Sequence, residues 1–344
     1  MIIRSYIFIA LLFFTSLAQG QDPQFSQYYN APLLINPAFT GATECYRVGT
    51  NSRIQWTGLE GTFKTATLYA DLNVPDLRSG FGIMVLHDNI GVSRLSSNEI
   101  SGFYSFLAPV SEQFNLRFGL QGTYASRHIN YSRLIFEDQF SGTSLTGPAS
   151  SDPVTAHNTT QYFDVSSGIL LYGEDTYWLG FSAHHLNRPD QAFYSAGLSR
   201  LPVRYSLHGG FNIYYRTHIM QEKDDMLRII PTFIYKAESR FDQLDLGAYV
   251  IKSYILLGAW YRGVFPKTHD GIRNNDALIL QAGVRLNSFS FTYSYDITTS
   301  RLGISNTLGS HEISLIYIFC LDWPPRKKPG RKVRRLPCPD FQRR

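Results

Sequence analysis

The residues best suited to chemistry in this sequence are three histidines, His184, His185 and His208. Imidazole nitrogens bind metal ions and exchange protons near neutral pH, so clustered histidines can form a metal or proton-transfer site. All three lie in segments with strand-like alternation, where adjacent residues point to opposite faces. His184 and His185 therefore cannot bind one ion together without distortion. We interpret them as polar histidines of a lumen or an interface, and we predict neither a metal site nor a cofactor.

Catalytic motifs are the next feature to consider. No nucleophile elbow, P-loop or dinucleotide-binding fingerprint stands in a strand–turn–helix context. A hydrolase would need a Ser, a His and an acidic residue, and such a set distributed over separate strands leaves no signature in a single sequence. The sequence therefore favours a protein that is not an enzyme.

The three cysteines, Cys45, Cys320 and Cys338, are too few for a disulfide scaffold. In an oxidising compartment one pair can still form and leave one thiol over. Cys320 and Cys338 flank a Pro-rich basic segment, and a bridge between them would close a loop of about eighteen residues. Cys45 is a rival partner for Cys320, because the first and last strands of a closed barrel are neighbours. Of the two pairings we favour Cys320–Cys338.

The N-terminus directs the chain out of the cytoplasm. Arg4 precedes an almost unbroken apolar run from Tyr6 to Leu17, and Ala18-Gln19-Gly20 offers small residues at the two positions that a signal peptidase reads. The apolar part is too short to span a bilayer as a helix. We predict a signal peptide over residues 1–20 and a mature chain that begins near Gln21. No later stretch of eighteen apolar residues predicts a transmembrane helix.

Composition and alternation together indicate a membrane barrel. Aromatic residues make up 15% of the chain and charged residues only 17%, whereas charged residues make up roughly 25% of soluble domains. Phe289, Phe291, Tyr293 and Tyr295 alternate with small polar residues, which is the period of a strand. A soluble β-sandwich would alternate in the same way. Aromatic residues at the ends of the apolar faces, and connections that alternate between short and long, favour an outer-membrane barrel instead.

The predicted fold is all-β, an antiparallel outer-membrane barrel of about fourteen strands. In hydrocarbon each unpaired backbone N–H or C=O is costly, so the sheet has to close on itself. An even strand number places both termini on the periplasmic side, and the longer connections are 127–160, 187–200, 263–275 and 298–310. The predicted parts are the signal peptide (1–20), an irregular N-terminal segment (21–43), the barrel (44–320) and a basic Pro-rich tail (321–344). The strands are predicted near 45–56, 62–73, 79–88, 94–108, 113–126, 161–172, 176–186, 201–215, 226–237, 241–251, 253–262, 276–286, 288–297 and 311–319.

The segment ahead of the first predicted strand has a composition of its own. Pro23, Pro32 and Pro37 interrupt it, so no regular element is predicted there. It is either a disordered lead-in or a plug-like element that packs in the lumen or on the periplasmic rim. Its aromatic density favours packing, because disordered segments are poor in aromatic residues. The aromatic residues are Phe25, Tyr28, Tyr29 and Phe39.

Blocks at both ends of the mature chain resemble the PorP/SprF family of Bacteroidetes membrane proteins. The N-terminal blocks are Gln21-Asp22-Pro23-Gln24-Phe25-Ser26-Gln27-Tyr28-Tyr29-Asn30 and Asn36-Pro37-Ala38-Phe39-Thr40-Gly41. The others are Tyr46-Arg47 with Gln55-Trp56, then Gly309-Ser310-His311-Glu312-Ile313-Ser314-Leu315, and Cys338-Pro339-Asp340-Phe341. The residues that carry the N-terminal family motif are Gln24, Phe25, Tyr28, Tyr29, Asn36, Pro37, Phe39 and Gly41.

The resemblance implies a function. Proteins of this family belong to the type IX secretion system, which exports large proteins with C-terminal sorting domains across the outer membrane, and some members serve a gliding-motility adhesin. The family barrel is similar to the fourteen-stranded fatty-acid-transporter type. The resemblance thus implies a non-enzymatic outer-membrane component that supports export or surface attachment of a sorting-domain protein. Its implied partners are the lipid bilayer, the secreted protein and periplasmic components of the system.

The residues alone leave open an alternative, an outer-membrane channel for small or hydrophobic solutes. A barrel of this size is wide enough to need filling or plugging. The predicted lumen-facing residues are of mixed character, with no ring of one charge that would indicate ion selectivity. These residues are Arg117, Gln121, Arg285, Ser290 and Ser294.

The end of the chain is strongly basic. From residue 326 onward nine cations accompany one acidic residue, a net charge of +8, compared with +5 for the whole chain. Such asymmetry indicates either an anionic partner or a solvated run of charge. A periplasmic tail meets no nucleic acid, so we predict that it docks on a periplasmic secretion component or on peptidoglycan. The docking cations are Arg326, Lys327, Lys328, Arg331, Lys332, Arg334 and Arg335.

Overall fold

Long antiparallel strands make up most of the molecule. The computed structural model describes residues 22–320 apart from 44, 92–94, 112–113, 142–143, 146–149, 174–175, 195–198, 216–226, 240 and 270–271. Within this part of the chain fourteen long strands follow one another, and one connection holds a small hairpin of Phe140–Ser141 and Ser144–Leu145. The strands are β1 Tyr46–Gln55, β2 Phe63–Val74, β3 Ser79–Ile90, β4 Leu95–Pro109, β5 Phe114–His128, β6 Thr159–Gly173, β7 Tyr177–His184, β8 Arg204–Phe211 (resuming as Ile213–Tyr215), β9 Leu227–Glu238, β10 Phe241–Lys252, β11 Ile255–His269, β12 Ile272–Leu286, β13 Phe289–Thr298 and β14 Ser310–Phe319.

Alternation within each strand sorts the side chains onto two faces. In β13, Phe289 and Phe291 are exposed, whereas Ser290 and Thr292 are buried. The inner face of the sheet is therefore largely polar and the outer face apolar, which is the arrangement of a barrel whose outer surface meets lipid. The residues predicted to face the lumen all occupy inward positions; they are Arg117, Gln121, Arg285, Ser290 and Ser294.

The sheet closes into a barrel. Each strand pairs antiparallel with the next, including β8 with β9 across the connection between them. The first and last strands also pair, in a register that runs from Tyr46 opposite Phe319 to Gln55 opposite Ser310. The prediction of a closed, antiparallel, fourteen-stranded barrel is therefore confirmed.

The two ends of the barrel differ in their connections. We call the end where β1 begins and β14 finishes the seam end, and the opposite end the loop end. The seam-end turns 253–254 and 287–288 are tight, and Asn287 supplies a positive φ of 54° that Asn tolerates well. Long connections at 129–158, 185–203 and 299–309 lie at the loop end. The predicted long loop 263–275 is wrong, because β11 and β12 continue as a paired hairpin to His269 and Ile272.

The wall of the barrel is uneven at the loop end. β5 and β6 stay paired as far as His128 and Thr159, whereas the pairing of β6 with β7 ends at Ser167. On the other side β11 continues with β12 beyond Arg262, where its pairing with β10 ends. The wall over β7–β10 is therefore lower than the two tall hairpins that flank it.

Helices are short and few in the described part of the chain. The α-helices are α1 Pro32–Ile35 and α2 Ile304–Thr307. The 3₁₀ turns are Tyr28–Asn30, Pro37–Phe39, Pro75–Leu77, Tyr131–Arg133, Glu137–Gln139 and Pro153–Ala156. Among the residues that the structure describes, no helix is long and apolar enough to cross a membrane.

Candidate functional site: the lumen plug

Residues 22–43 form a folded plug inside the lumen. The plug consists of a 3₁₀ turn at Tyr28–Asn30, helix α1 and a second 3₁₀ turn at Pro37–Phe39. Pro32 and Pro37 occupy first turns, where a missing N–H costs nothing and the fixed φ favours helix. The Asn36 side chain accepts a hydrogen bond from the Ala38 N–H at 2.8 Å and so caps the second turn. The prolines that interrupt the sequence thus begin the turns of a compact element.

The N-terminal family motif coincides with this plug. Most of its residues are buried, and Asn36 and Phe39 are almost completely enclosed. Gln24 is partly buried and accepts a hydrogen bond from Lys236 at 3.5 Å. The structure therefore brings together Gln24, Phe25, Tyr28, Tyr29, Asn36, Pro37, Phe39 and Gly41.

Near the loop end, a carboxylate of the wall binds the plug backbone. Glu312 of β14 accepts the Ser26 N–H at 2.6 Å and the Gln27 N–H at 3.0 Å. Arg53 of β1 lies 3.3 Å from Glu312 and 2.7 Å from Asp296 of β13, and all three charged side chains are buried. A buried charge is tolerated only when it is paired and hydrogen-bonded. Hydrogen bonds and ion pairs therefore join the plug to three strands of the wall.

A second polar anchor joins the plug to β10 and β11. The Tyr28 hydroxyl donates to Asp245 at 2.5 Å, and Arg262 donates to Asp245 at 2.9 Å and to the Tyr28 oxygen at 2.7 Å. Arg262 also donates to the Ser26 hydroxyl oxygen at 2.9 Å, so one guanidinium serves both anchors. Burial, with the adjacent Asp245 charge, raises the pKa of Tyr28 well above its usual value. Tyr28 therefore remains a neutral hydrogen-bond donor.

Toward the middle of the barrel, the plug approaches the wall so closely that side chains are excluded. The Asn36 amide donates to the Ile169 carbonyl at 3.0 Å, and a Cβ on the facing Gly168 would overlap the Asn36 side chain. A Cβ on Gly119 would likewise overlap the backbone of Ala38. Glycine is needed at both positions because of this contact.

At the seam end the plug meets a third set of charges. The Thr40 carbonyl accepts a hydrogen bond from Arg117 at 2.6 Å, and the Gly41 N–H donates to Asp71 at 2.7 Å. Asp71 also pairs with Arg47 at 2.8 Å, and both side chains are buried. Polar anchors therefore hold the plug along its whole length.

An aromatic cluster lies inside the lumen. Tyr29 packs edge-on against Trp178 at 5.6 Å between ring centroids, and Tyr249 packs against Trp260 at 5.3 Å. Tyr28 lies 5.5 Å from Trp260 and completes the layer. Large aromatic side chains from the plug and from β7, β10 and β11 thus pack together in the lumen.

The described chain begins at the loop end. Asp22 pairs with Arg204 at 2.5 Å and with His185 at 2.7 Å, and these residues stand at the loop-end limits of β8 and β7. Burial opposes ionisation of Asp22, but Arg204 and then His185 hold its pKa well below the usual range. The start of the described chain and Cys320 therefore lie at opposite ends of the barrel. The plug thus runs the length of the lumen before β1 begins. The expectation that both termini share one side concerns residues 1–21 and 321–344, which lie outside the described residues.

The histidines occupy separate positions. His185 lies just beyond β7 with φ +59° and contacts Asp22 and Asp164, while His184 lies 3.3 Å from the Ile35 carbonyl oxygen. His208 lies 3.2 Å from the Asn36 side chain. Within the described part of the chain, no group of three His, Cys, Asp or Glu side chains is arranged to hold a metal ion.

A disulfide joins the two edges of the seam. Cys45 and Cys320 are bonded, with a Cα–Cα separation of 4.7 Å. The favoured Cys320–Cys338 bridge is therefore corrected. The reason is the register, since Tyr46 stands opposite Phe319 and the next residue outward on each strand is a cysteine. Cys338 lies outside the described residues.

The basic tail also lies outside the described residues, as does the predicted signal peptide. The tail cations predicted to dock on a partner accordingly stay a prediction. They are Arg326, Lys327, Lys328, Arg331, Lys332, Arg334 and Arg335.

Several residues that anchor the plug had no signal of their own in the sequence. Each is a single charged residue at a polar position of an alternating strand. Such a residue is typical of any polar lumen and does not indicate a specific contact. All of them occupy inward-facing positions of their alternating strands. That position could have marked them as candidate contacts of the aromatic-rich plug. They are Arg53, Asp245, Arg262 and Asp296.

An apolar exterior, a polar inner wall and a lumen filled by the chain's own N-terminal segment define an integral β-barrel membrane protein with a built-in plug. A family model described as type IX secretion system membrane protein PorP/SprF matches residues 17–317. The chain therefore belongs to the PorP/SprF family and is an outer-membrane protein of that secretion system. The predicted family membership is confirmed.

Several solved barrels have a similar overall arrangement. The toluene transporter TbuX of Ralstonia pickettii has a TM-score of 0.49 at 9% identity, over 84% of this chain and 94% of that one. The toluene transporter TodX of P. putida has a TM-score of 0.44 at 9% identity, over 85% and 94%. A FadL homologue of Pseudomonas aeruginosa has a TM-score of 0.40 at 12% identity, over 82% and 92%. A search of the curated proteins finds no match to this chain.

Proposed function

We propose that this protein is a non-enzymatic, closed barrel that supports the export or surface attachment of a secreted protein with a C-terminal sorting domain, such as a gliding adhesin. The observation that carries the proposal is the plug, which is anchored to the wall by buried charges at Glu312, Asp245 and Asp71. A lumen filled in this way favours a role through protein contacts over a role in solute passage.

We place the seam end in the periplasm. Tight turns at 253–254 and 287–288 belong to that end, and periplasmic turns of outer-membrane barrels are short. The long connections at the loop end then face the cell exterior, where a secreted protein would be held. In this orientation the basic tail emerges into the periplasm directly after Cys320.

We assign the tail a docking role toward an anionic periplasmic partner, either a component of the secretion system or peptidoglycan. The net charge of +8 from residue 326 onward would steer such an encounter and make it sensitive to salt. Truncation after Asp322 should leave the barrel assembled but reduce export of the secreted protein. The matched control replaces the tail by a neutral segment of equal length, and normal export by both variants would remove this role.

The channel alternative is separated from this proposal by conductance. Purified wild-type protein in planar bilayers should carry little or no current, because the plug occupies the lumen. Deletion of residues 21–42 should raise the conductance if the barrel still forms, as judged by its heat-modifiable migration on gels. A steady wild-type current would favour a channel and overturn the proposal of a closed barrel.

A further inference from the structure

A cavity lies at the loop end of the lumen, between the plug and the wall. Its volume is about 80 Å³, several times the roughly 10–15 Å³ that one water molecule needs. His185 and Arg204, which stand at the loop-end limits of β7 and β8, line the cavity and remain partly exposed. The cavity therefore has room for a small molecule, and solvent reaches its rim.

Apart from His184, three acidic and three basic side chains line this cavity. Asp22 lies 2.5 Å from Arg204 and 2.7 Å from His185, and His185 lies 3.1 Å from Asp164. Burial opposes a charge on His185, but Asp22 and Asp164 raise its pKa to about 10. These four charges are therefore paired with one another. The six charged residues are Asp22, Glu99, Asp164, His185, Arg204 and Lys236.

The other two charges, Glu99 of β4 and Lys236 of β9, have no salt-bridge partner in the part of the chain that the structure describes. Glu99 Oε1 accepts a hydrogen bond from Ser97 at 3.3 Å, and no described residue donates to Oε2. The Lys236 ammonium group contacts the Gln24 amide oxygen at 3.5 Å and lies 4.8 Å from the centre of the Tyr28 ring. Each of these two charges therefore lacks a counter-ion, which is unfavourable for a charge that is partly removed from water.

The two unpaired charges do not pair with each other. Their strands have four others between them in the barrel wall, and neighbouring strands lie about 4.8 Å apart. A molecule that satisfies both must therefore carry opposite charges at separate positions. Phe25, Leu34 and Leu86 add apolar surface to the same cavity. The cavity thus fits a small molecule with an ammonium group, a carboxylate and an apolar body.

We propose that this cavity is a binding site for a small zwitterion of the amino-acid or dipeptide class. The ammonium group of the ligand donates to Glu99, its carboxylate accepts from Lys236, and its apolar side chain contacts Leu86. A ligand with a single charge leaves one of the two side chains without a counter-ion. The site goes beyond the export role, because it requires only the barrel with its seated plug.

Isothermal titration calorimetry of the wild-type protein in dodecyl maltoside tests the site, because this detergent is uncharged and offers no competing zwitterion. The probes are L-leucine and L-leucyl-L-alanine, and the stronger binder shows whether an amino acid or a dipeptide fits. For each probe, the N-acetylated form lacks the ammonium group and the C-terminal amide lacks the carboxylate. We expect at least one zwitterion to bind with a dissociation constant below about 1 mM, and its two analogues to bind at least about tenfold more weakly.

Two variants assign each charge of the ligand to its partner. Glu99→Gln should weaken binding of the zwitterion at least about tenfold but leave binding of the N-acetylated analogue unchanged. Lys236→Met should have the same effect on the zwitterion and leave binding of the amide analogue unchanged.

The matched controls are Glu60→Gln and Lys252→Met, which change exposed residues outside the cavity lining and should leave binding unchanged. Heat-modifiable migration reports whether each variant barrel is folded, and the analogues decide the question on wild-type protein if a variant does not fold. Wild-type protein that binds neither zwitterion, or that binds the singly charged analogues equally well, would overturn the proposal.

Discussion

Replacing Arg53 by Met tests whether buried ion pairs hold the plug in place. Arg53 contacts Asp296 at 2.7 Å, Glu312 at 3.3 Å and the Ser26 hydroxyl oxygen at 2.5 Å. Met has a similar length but no charge, so the substitution leaves two buried carboxylates with Arg262 as the nearest cation, 3.5 Å from Asp296. Removing one partner of a buried pair costs about 3–5 kcal/mol.

That cost falls mainly on the plugged state, because an unseated plug lets water reach both carboxylates. At about 1.4 kcal/mol per factor of ten, the unseated fraction should rise between about a hundredfold and a few thousandfold. Chymotrypsin supplies the assay, since it cleaves after aromatic residues and Tyr28 and Tyr29 are buried in the seated plug. Cleavage of the plug should rise by the same factor while opening is fast compared with cleavage.

The control is Lys252→Met, which removes an exposed cation at the seam end. Adding Glu312→Gln to Arg53→Met should return part of the lost protection, because it removes one of the two buried negative charges that Arg53 balances in the wild type. Plug cleavage at the wild-type rate in a folded Arg53→Met barrel would refute the view that these ion pairs anchor the plug.

Three further predictions concern other contacts of the plug and the seam. Gly119→Ala should raise chymotrypsin cleavage of the plug, because the added Cβ overlaps the plug backbone; the same rate as wild type would contradict this close approach. Cys45→Ser should cost about 2–4 kcal/mol against unfolding in detergent, with Cys338→Ser as the control that should have no such effect. The pKa of Asp22 is lowered in the folded protein. Its ion pairs therefore stabilise the plug fully at a pH above the unfolded carboxyl pKa of about 3.9. This contribution is lost as the pH falls through the lower folded-state pKa. Plug protection measured against pH should therefore decline in acid, and Asp22→Asn should abolish that component.

The strands could be predicted from the sequence because their signal is local. Phe289 and Phe291 face outward and Ser290 faces inward, as strict alternation requires. The hairpin of β11 and β12 was missed because Gly263 and its neighbours resemble a loop. Register shifts at Gly263 absorb that irregularity, and the two strands satisfy each other's backbone groups beyond it. Pairing across the hairpin outweighs the local turn signal.

The plug contacts could not be predicted because they join distant parts of the chain. Aromatic density indicated that the N-terminal segment packs, but the partner of Tyr28, Asp245, is 217 residues away. The disulfide illustrates the same difficulty. Short spacing favoured Cys320–Cys338, yet the observed bridge has a separation of 275 residues and depends on the register of the closed seam. Neither pairing is encoded in a local pattern.

The bond between Cys45 and Cys320 closes the part of the chain that forms the barrel wall into one covalent ring. A single protease nick anywhere from residue 46 to residue 319 would leave the two fragments attached until a reductant is added. The two sulfur atoms meet only when the last strand has reached the first. Oxidation of this pair therefore requires a closed barrel. A pulse-chase experiment analysed on non-reducing gels would measure when the barrel closes in living cells.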